Sequence, residues 1–144
     1  MFAKLDVKQW LIASVAVFVA MIVMGYILHD QILTSLYQFT SEKGLTRTAE
    51  EMGAWSHYEY IAYAVFALLF TFVFSLGLEA KPGLGQGIRY GVYAGLLIYL
   101  APILLLQAFT LFPRPLLIWW FLGGLVQCIV SGIIVGMMYK GKTK

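Results

Sequence analysis

The chain has 144 residues, of which 61% are hydrophobic and only 12% are charged. Soluble domains are about 45–50% apolar and about 25% charged, so the composition excludes an ordinary soluble domain. The pI near 9.0 does not indicate a nucleic-acid-binding protein, because the basic residues lie near the ends of long apolar segments.

Four segments without any charged residue predict four membrane-spanning helices. They contain 20, 19, 24 and 25 residues, and a helix needs about 20 residues to cross a hydrocarbon core of about 30 Å. We therefore predict an all-α, transmembrane four-helix bundle that forms a single integral membrane domain over residues 1–144. Its spans are placed at about residues 9–28, 60–78, 90–112 and 116–139.

The distribution of charge predicts the orientation of these spans. Seven basic residues lie on the side that holds both termini and three on the other side, whereas the acidic residues number two and five. Loops rich in lysine and arginine remain in the cytoplasm. Both the N and the C terminus are therefore expected to be cytoplasmic.

The first connector, residues 29–59, is expected to be mostly helical. Apolar residues continue at helical spacing to about Thr40, so the first helix should extend beyond the membrane. Thr48 and Glu51 have the spacing of a capping box, which predicts that the second helix starts near Ala49. Helices 1 and 2 should thus protrude on the outer face as an antiparallel hairpin that turns at residues 41–44.

The other two connectors are short. The third, at residues 112–115, forces the last two helices to be antiparallel neighbours. Pro102 lies inside the third helix, where it cannot donate a backbone hydrogen bond, and we expect a kink that frees the carbonyl of Ile98.

Two rows of small residues predict close packing between the last two helices. Small residues at every fourth position let two backbones approach, and this packing drives helix association in lipid. A turn after residue 113 would place Gly95 opposite Gly132 and Gly91 opposite Gly136. The alternative is that one row faces a second copy of the chain.

One polar pair is expected in the same interface. Gln127 lies near the middle of the fourth span, at about the depth of Tyr99 on the third. A buried amide in lipid needs a hydrogen-bonding partner, and the tyrosine hydroxyl can serve. We expect a structural bond here rather than a contact to substrate.

The two histidines are candidate cofactor ligands. His29 ends the first apolar segment and His57 precedes the second, so the predicted hairpin places them at the same height, with Asp30 and Glu59 beside them. Two imidazoles with a carboxylate suit a transition metal, and two imidazoles alone could ligate haem. We nevertheless expect a pair of hydrogen-bonded interfacial histidines without any ligand, and so no cofactor, with the metal or haem site as the alternative.

A glycine-rich loop opens the third helix. Gly85 and Gly87 lie between Lys81 and Arg89, and free amides at a helix N-terminus attract anions. Binding of a lipid headgroup is one interpretation. The other is a flexible turn without a ligand.

The segment from residue 79 to residue 91, with Gly83-Leu84-Gly85-Gln86-Gly87-Ile88-Arg89-Tyr90-Gly91 at its centre, resembles a group of small bacterial four-span membrane proteins of unassigned function. Arg47 with Glu50-Glu51-Met52 and the stretch after His29 are also similar to that group. The resemblance implies a bacterial inner-membrane location and a four-helix fold. It implies no activity.

No catalytic constellation is found in the sequence, and no span contains an ionisable acid or base. We therefore expect a non-enzymatic accessory or scaffolding subunit whose partners are membrane lipids and other membrane-protein subunits or itself. One alternative is a small homo-oligomeric channel or facilitator, and another is a bis-histidine haem or metal protein. The only polar material for a channel is Tyr93, Tyr99, Gln107, Gln127 and Ser131.

Overall fold

A computed structural model describes residues 5–77 and 83–140, and within these ranges the secondary structure is helical, with no strand. Four continuous helices are long and apolar enough to cross a membrane, as expected for a multi-pass membrane protein. Two of them contain a π-helical segment, here named π1 and π2. In chain order the elements are α1 (Val7–Gly25), π1 (Tyr26–Ile32), α2 (Thr34–Glu42), α3 (Ala49–Leu76), α4 (Leu84–Gly95), π2 (Leu96–Leu100), α5 (Ala101–Phe109) and α6 (Arg114–Met138).

Local capping determines where α3 and the first hairpin begin and end. The predicted capping box is confirmed: the Glu51 amide donates to Thr48 Oγ1 at 3.3 Å, and the Thr48 amide donates to Glu51 Oε2 at 2.9 Å. The first helix continues past the apolar segment to Glu42, with a break at Leu33 that the periodicity did not predict. Gly44 then allows the chain to turn, because its φ of 67° is accessible to glycine.

The bundle has two ends, which we name the terminal end (residues 5–9 and 139–140) and the distal end (residues 26–48 and 109–116). The terminal end is closed. The Tyr139 side chain is fully buried, and its hydroxyl accepts a hydrogen bond from the Asp6 amide at 3.1 Å. The Lys140 amide donates to Gln9 Oε1 at 2.9 Å. These bonds join the start of α1 to the end of α6.

The core lies between α1, α3 and α6 in the half of the bundle nearer the terminal end. Tyr90 joins α4 to this core, since its hydroxyl donates to the Phe70 carbonyl at 2.7 Å and its ring packs on Phe70 and Phe74. The buried core residues are Ala13, Val17, Met21, Ala67, Phe70, Phe74, Cys128, Val135 and Tyr139.

The most extensive helix contact is between α4 and α6, and glycine produces it. A Cβ added at Gly87 would overlap the carbonyl oxygen of Gly132, and one at Gly132 would lie 3.0 Å from the Gly91 Cα. The two backbones therefore touch within one chain, which confirms the predicted packing between the last two helices.

The predicted register of this contact was wrong by one to two helical turns. Gly91 lies against Cys128 rather than Gly136, and Gly95 lies against Leu125 and Cys128 rather than Gly132. Two features explain the shift. Residues 110–113 are not helical, so the hairpin turns earlier than we assumed. The π-helical segment π2 also adds residues to the third helix without a matching gain in length.

Pro102 is accommodated by this same π2 segment. The helix continues from α4 through π2 into α5 instead of ending before the proline. A π-helical turn changes which carbonyls are paired, and this is one way in which a helix accepts a residue without an amide hydrogen.

Candidate functional site

A cleft of about 380 Å³ opens in the half of the bundle nearer the distal end, where α5 diverges from α6. Its volume lies in the range of small-molecule pockets, about 300–1,000 Å³. Most of its wall is apolar, with a few polar side chains. The lining residues are Leu28, His29, Tyr37, Tyr63, Ile98, Tyr99, Pro102, Ile103, Leu106, Trp120, Gly124 and Gln127.

A chain of hydrogen bonds forms the distal wall of the cleft. Trp120 Nε1 donates to the Tyr37 hydroxyl oxygen at 2.8 Å, and that hydroxyl is 2.6 Å from His29 Nδ1. The Tyr37 ring is stacked on His29 and tilted against Trp120. This chain connects α6 to α2 and to π1.

The order of donors in this chain favours one tautomer of His29. Indole nitrogen is only a donor, so the Tyr37 oxygen accepts from Trp120, and among the described residues His29 Nδ1 is the acceptor within reach of the Tyr37 hydrogen. The phenol remains protonated because burial raises the pKa of Tyr37 to about 12, with the nearby Glu59 carboxylate acting in the same direction. In this arrangement His29 is neutral, with its hydrogen on Nε2.

Both π-helical segments contribute to the cleft. His29 lies in π1, where the Leu33 amide reaches back five residues to the Leu28 carbonyl at 2.9 Å, and Tyr99 lies in π2. A π turn rotates the side chains that follow it relative to an α-helix, and such turns are frequent at functional sites. Two of them face one cavity here.

Glycines leave the space that the large side chains of the wall occupy. A Cβ at Gly25 would overlap the Tyr63 hydroxyl, one at Gly123 would overlap the Leu28 side chain, and one at Gly124 would overlap the Tyr99 ring. Each large side chain thus lies directly on the backbone of a neighbouring helix. The Tyr63 hydroxyl also donates to the Glu59 carboxylate, which fixes the tyrosine at its far end.

Gln127 forms the deepest polar part of the cleft. The Tyr99 hydroxyl donates to Gln127 Oε1 at 3.5 Å, so the predicted pair exists, although the bond is long. The Gln127 side chain is only 5% exposed, and within the described part of the chain its Nε2 has no hydrogen-bonding partner. Two amide hydrogens are therefore unpaired in the wall of the cavity.

The four predicted metal ligands do not come together. His29 bonds to Tyr37, while His57 is exposed on α3 and packs on Tyr58 at 4.4 Å between ring centroids. Residues 5–77 and 83–140 contain no group of three or more His, Cys, Asp or Glu that could hold a metal. His29, Asp30, His57 and Glu59 thus do not form a metal site, because His29 bonds to Tyr37 and His57 stays exposed on α3.

The predicted anion site is also changed. Lys81 lies outside the described residues. The Gly87 amide donates to the Gly83 carbonyl at 3.0 Å, and Gly87 itself is buried against α6, so it serves packing instead of presenting a free amide. Gly85 and Arg89 are exposed at the start of α4.

The polar residues proposed for a channel point in different directions. The Ser131 hydroxyl contacts Met21 Sδ at 3.8 Å on the α1 side of α6, whereas Tyr93 is 69% exposed on α4. Gln107 is exposed on α5 and does not line the cleft. Only Tyr99 and Gln127 share a cavity, so the described residues of one chain do not arrange these five side chains along one path.

Sequence reasoning missed Tyr37, Tyr63 and Trp120 as parts of one site. Trp120 lies near the start of the fourth span, where tryptophans commonly anchor a helix at the membrane interface. The glycines at positions 123 and 124, close after two tryptophans, were the available signal. No protein-family model, no curated protein and no solved structure matches the chain. The indications of function therefore come from the geometry of the cleft and of the helix surfaces.

Proposed function

We propose that the protein is a non-enzymatic accessory subunit of the bacterial inner membrane, and that α5 binds an apolar transmembrane helix of a different membrane protein. One observation carries this proposal. Only 6% of the most apolar window of the third span is buried, against 33%, 22% and 39% for the other three spans.

The surface of α5 is suited to such a partner. The helix contains no buried residue, and large apolar side chains continue beyond it into the non-helical connector. Phe109 is 82% exposed and Leu111 is 84% exposed, and both lie at the edge of the apolar segment, where water is near. A partner helix that extends to the membrane surface would cover these two side chains as well as Leu104 and Leu105.

Site-specific photo-crosslinking in native membranes tests the proposal. A photoreactive residue at Leu104 or Leu105, which are 60% and 58% exposed, should give a product that joins this chain to one different membrane protein. Matched controls are Val15 and Val19 on α1, which are 62% and 53% exposed and should give lipid adducts only.

Three results would contradict the proposal. Lipid adducts alone at all four positions would mean that α5 simply faces the bilayer. A product of twice the chain mass at Leu104 would make the partner a second copy. The same protein products from α1 and α5 would mean that capture is unspecific.

The proposed topology has both termini in the cytoplasm. Cysteine at position 43 should react with a membrane-impermeant maleimide in intact cells, and cysteine at position 140 should react only after the cells are opened. The native Cys128 is buried and should not contribute to the signal. Labelling of position 140 in intact cells would reverse the orientation.

A further inference from the structure

We propose that the cleft between π1, α3, α5 and α6 binds a flat, lipid-soluble molecule with carbonyl oxygens on its ring, which is the chemistry of a quinone. This proposal does not depend on a partner for α5. It rests on the hydrogen-bonding groups of the cleft, its aromatic walls and its position in the bundle.

Gln127 places an unpaired donor in the wall of the cleft, and because its Nε2 exposes less than 1 Å² of surface, the amide has to turn toward the cavity to meet an acceptor. Its Oε1 is already used by Tyr99, so only the hydrogens of Nε2 remain, and they are buried in the cavity wall without a partner among the described residues. Nearly all buried amide hydrogens in proteins are paired, and one left unpaired in an apolar cleft lowers stability. A carbonyl oxygen would satisfy it.

His29 supplies a second donor of the same kind. In the tautomer whose Nδ1 accepts the hydrogen of Tyr37, the neutral ring carries an Nε2–H, and His29 lines the cleft. Among the residues that the structure describes, no lysine or arginine lines the cleft, so an anionic headgroup would find no opposite charge from them there. The donors therefore favour neutral acceptor oxygens over a phosphate or a carboxylate.

The walls favour a flat ring over an acyl chain. Tyr37, Tyr63, Tyr99 and Trp120 present aromatic faces and edges, and stacked or edge-on aromatic contacts require a planar partner. Glycines hold two of these rings, since Tyr63 lies on Gly25 and Tyr99 lies on Gly124. An acyl chain would fill the volume but would leave Gln127 unpaired.

The cleft is placed where such a molecule can reach it. His29 follows directly after the uncharged segment that ends at Leu28, whereas Gln127 lies about seven residues deeper on α6 than Trp120, or about 10 Å along the helix. Because α5 diverges from α6, a molecule dissolved in the bilayer can enter from the side.

Binding of two matched ligands to the purified, detergent-solubilised full chain tests this proposal. The probe is 2-methyl-1,4-naphthoquinone, and the control is 2-methylnaphthalene, which has the same ring without the carbonyls. Titration calorimetry should show saturable binding of the quinone and at least about tenfold weaker binding of the hydrocarbon. Equal affinity for the two compounds, or no binding of the quinone, would overturn the proposal.

Two glutamine variants separate the donor from a general effect of polarity. Gln127→Leu should bind the quinone about tenfold more weakly than the parent. Gln107→Leu removes an amide of α5 that lies outside the cleft, and this variant should bind the quinone with the affinity of the parent. Gln127→Leu should also fold, because it removes an unpaired buried amide. Equal quinone affinity of both variants would contradict the assignment.

A third variant fixes the location without relying on Gln127. Ile103 lines the cleft on α5, so Ile103→Trp should fill it and abolish binding of both ring compounds. Circular dichroism and gel filtration confirm that each variant is folded. Quinone binding that persists in folded Ile103→Trp would place the ligand elsewhere and refute the site.

Discussion

Replacing Gly132 by alanine tests whether the α4–α6 contact is as close as the structure shows. The new Cβ would overlap the Gly87 carbonyl oxygen and lie 3.0 Å from both the Cα and the amide nitrogen of Gly91. All three are backbone atoms, so no side-chain rotation relieves the overlap, and the two helices must separate.

The magnitude follows from two opposing effects. Overpacking costs about 1–3 kcal/mol, and contacts with backbone place this site near the upper value. Alanine in place of glycine gains about 1 kcal/mol of helix propensity. The free energy of unfolding of Gly132→Ala should therefore fall by about 2 kcal/mol. At Gly53 of α3 nothing lies within 4 Å of an added Cβ, so Gly53→Ala should gain about 0.5–1 kcal/mol.

Unfolding by sodium dodecyl sulfate in mixed micelles, followed by circular dichroism, measures both free energies. Gly132→Ala should be less stable and Gly53→Ala more stable than the parent, so the two variants should differ from each other by about 2.5–3 kcal/mol. Equal stability of Gly132→Ala and Gly53→Ala would refute the argument, because the α4–α6 backbones would then have room for a methyl group.

Three further predictions concern other parts of the chain. Tyr37→Phe leaves the Trp120 indole hydrogen without its acceptor and should lower the free energy of unfolding by about 1–3 kcal/mol. The control Tyr26→Phe loses only an exposed bond to a glutamine and should change this free energy by less than about 0.5 kcal/mol. A similar effect in both variants would contradict the hydrogen-bond chain of Trp120, Tyr37 and His29. Thr48→Ala removes half of the capping box and should cost about 1 kcal/mol in the same assay, and an unchanged value would mean that the start of α3 is frayed. Cys128 is fully buried, so in mild detergent a maleimide should label it only as fast as the protein unfolds, and rapid labelling would contradict the packing around it.

The elements of the fold could be predicted because local sequence specifies them. Uncharged segments of the right length gave the spans, and the Thr48–Glu51 spacing gave the start of α3. The glycine rows identified which faces of α4 and α6 meet. Their register could not be obtained, because it depends on four non-helical residues and on a π turn at Pro102 that periodicity does not reveal.

The site could be predicted only in part. The Tyr99–Gln127 pair follows from depth alone, since the two long side chains tolerate an error of one turn. The surroundings of His29 do not follow, because π1 and the break at Leu33 rotate the residues after Gly25 by an amount that the sequence does not encode locally. Height along a helix is predictable here, whereas direction around the helix is not.

The bond between Asp6 and Tyr139 has a consequence for biosynthesis. Its two residues are 133 positions apart, so the ribosome has to add 133 residues after Asp6 before this bond between the start of α1 and the end of α6 can form. During that time α1 is in the membrane, and its Val17 and Met21 side chains are still open to lipid or to an insertion factor. In the folded protein these two side chains are fully or almost fully buried. Closing so long a loop is a slow step. Nascent chains should therefore pass through a stage in which a protease or an insertase can still reach the first helix.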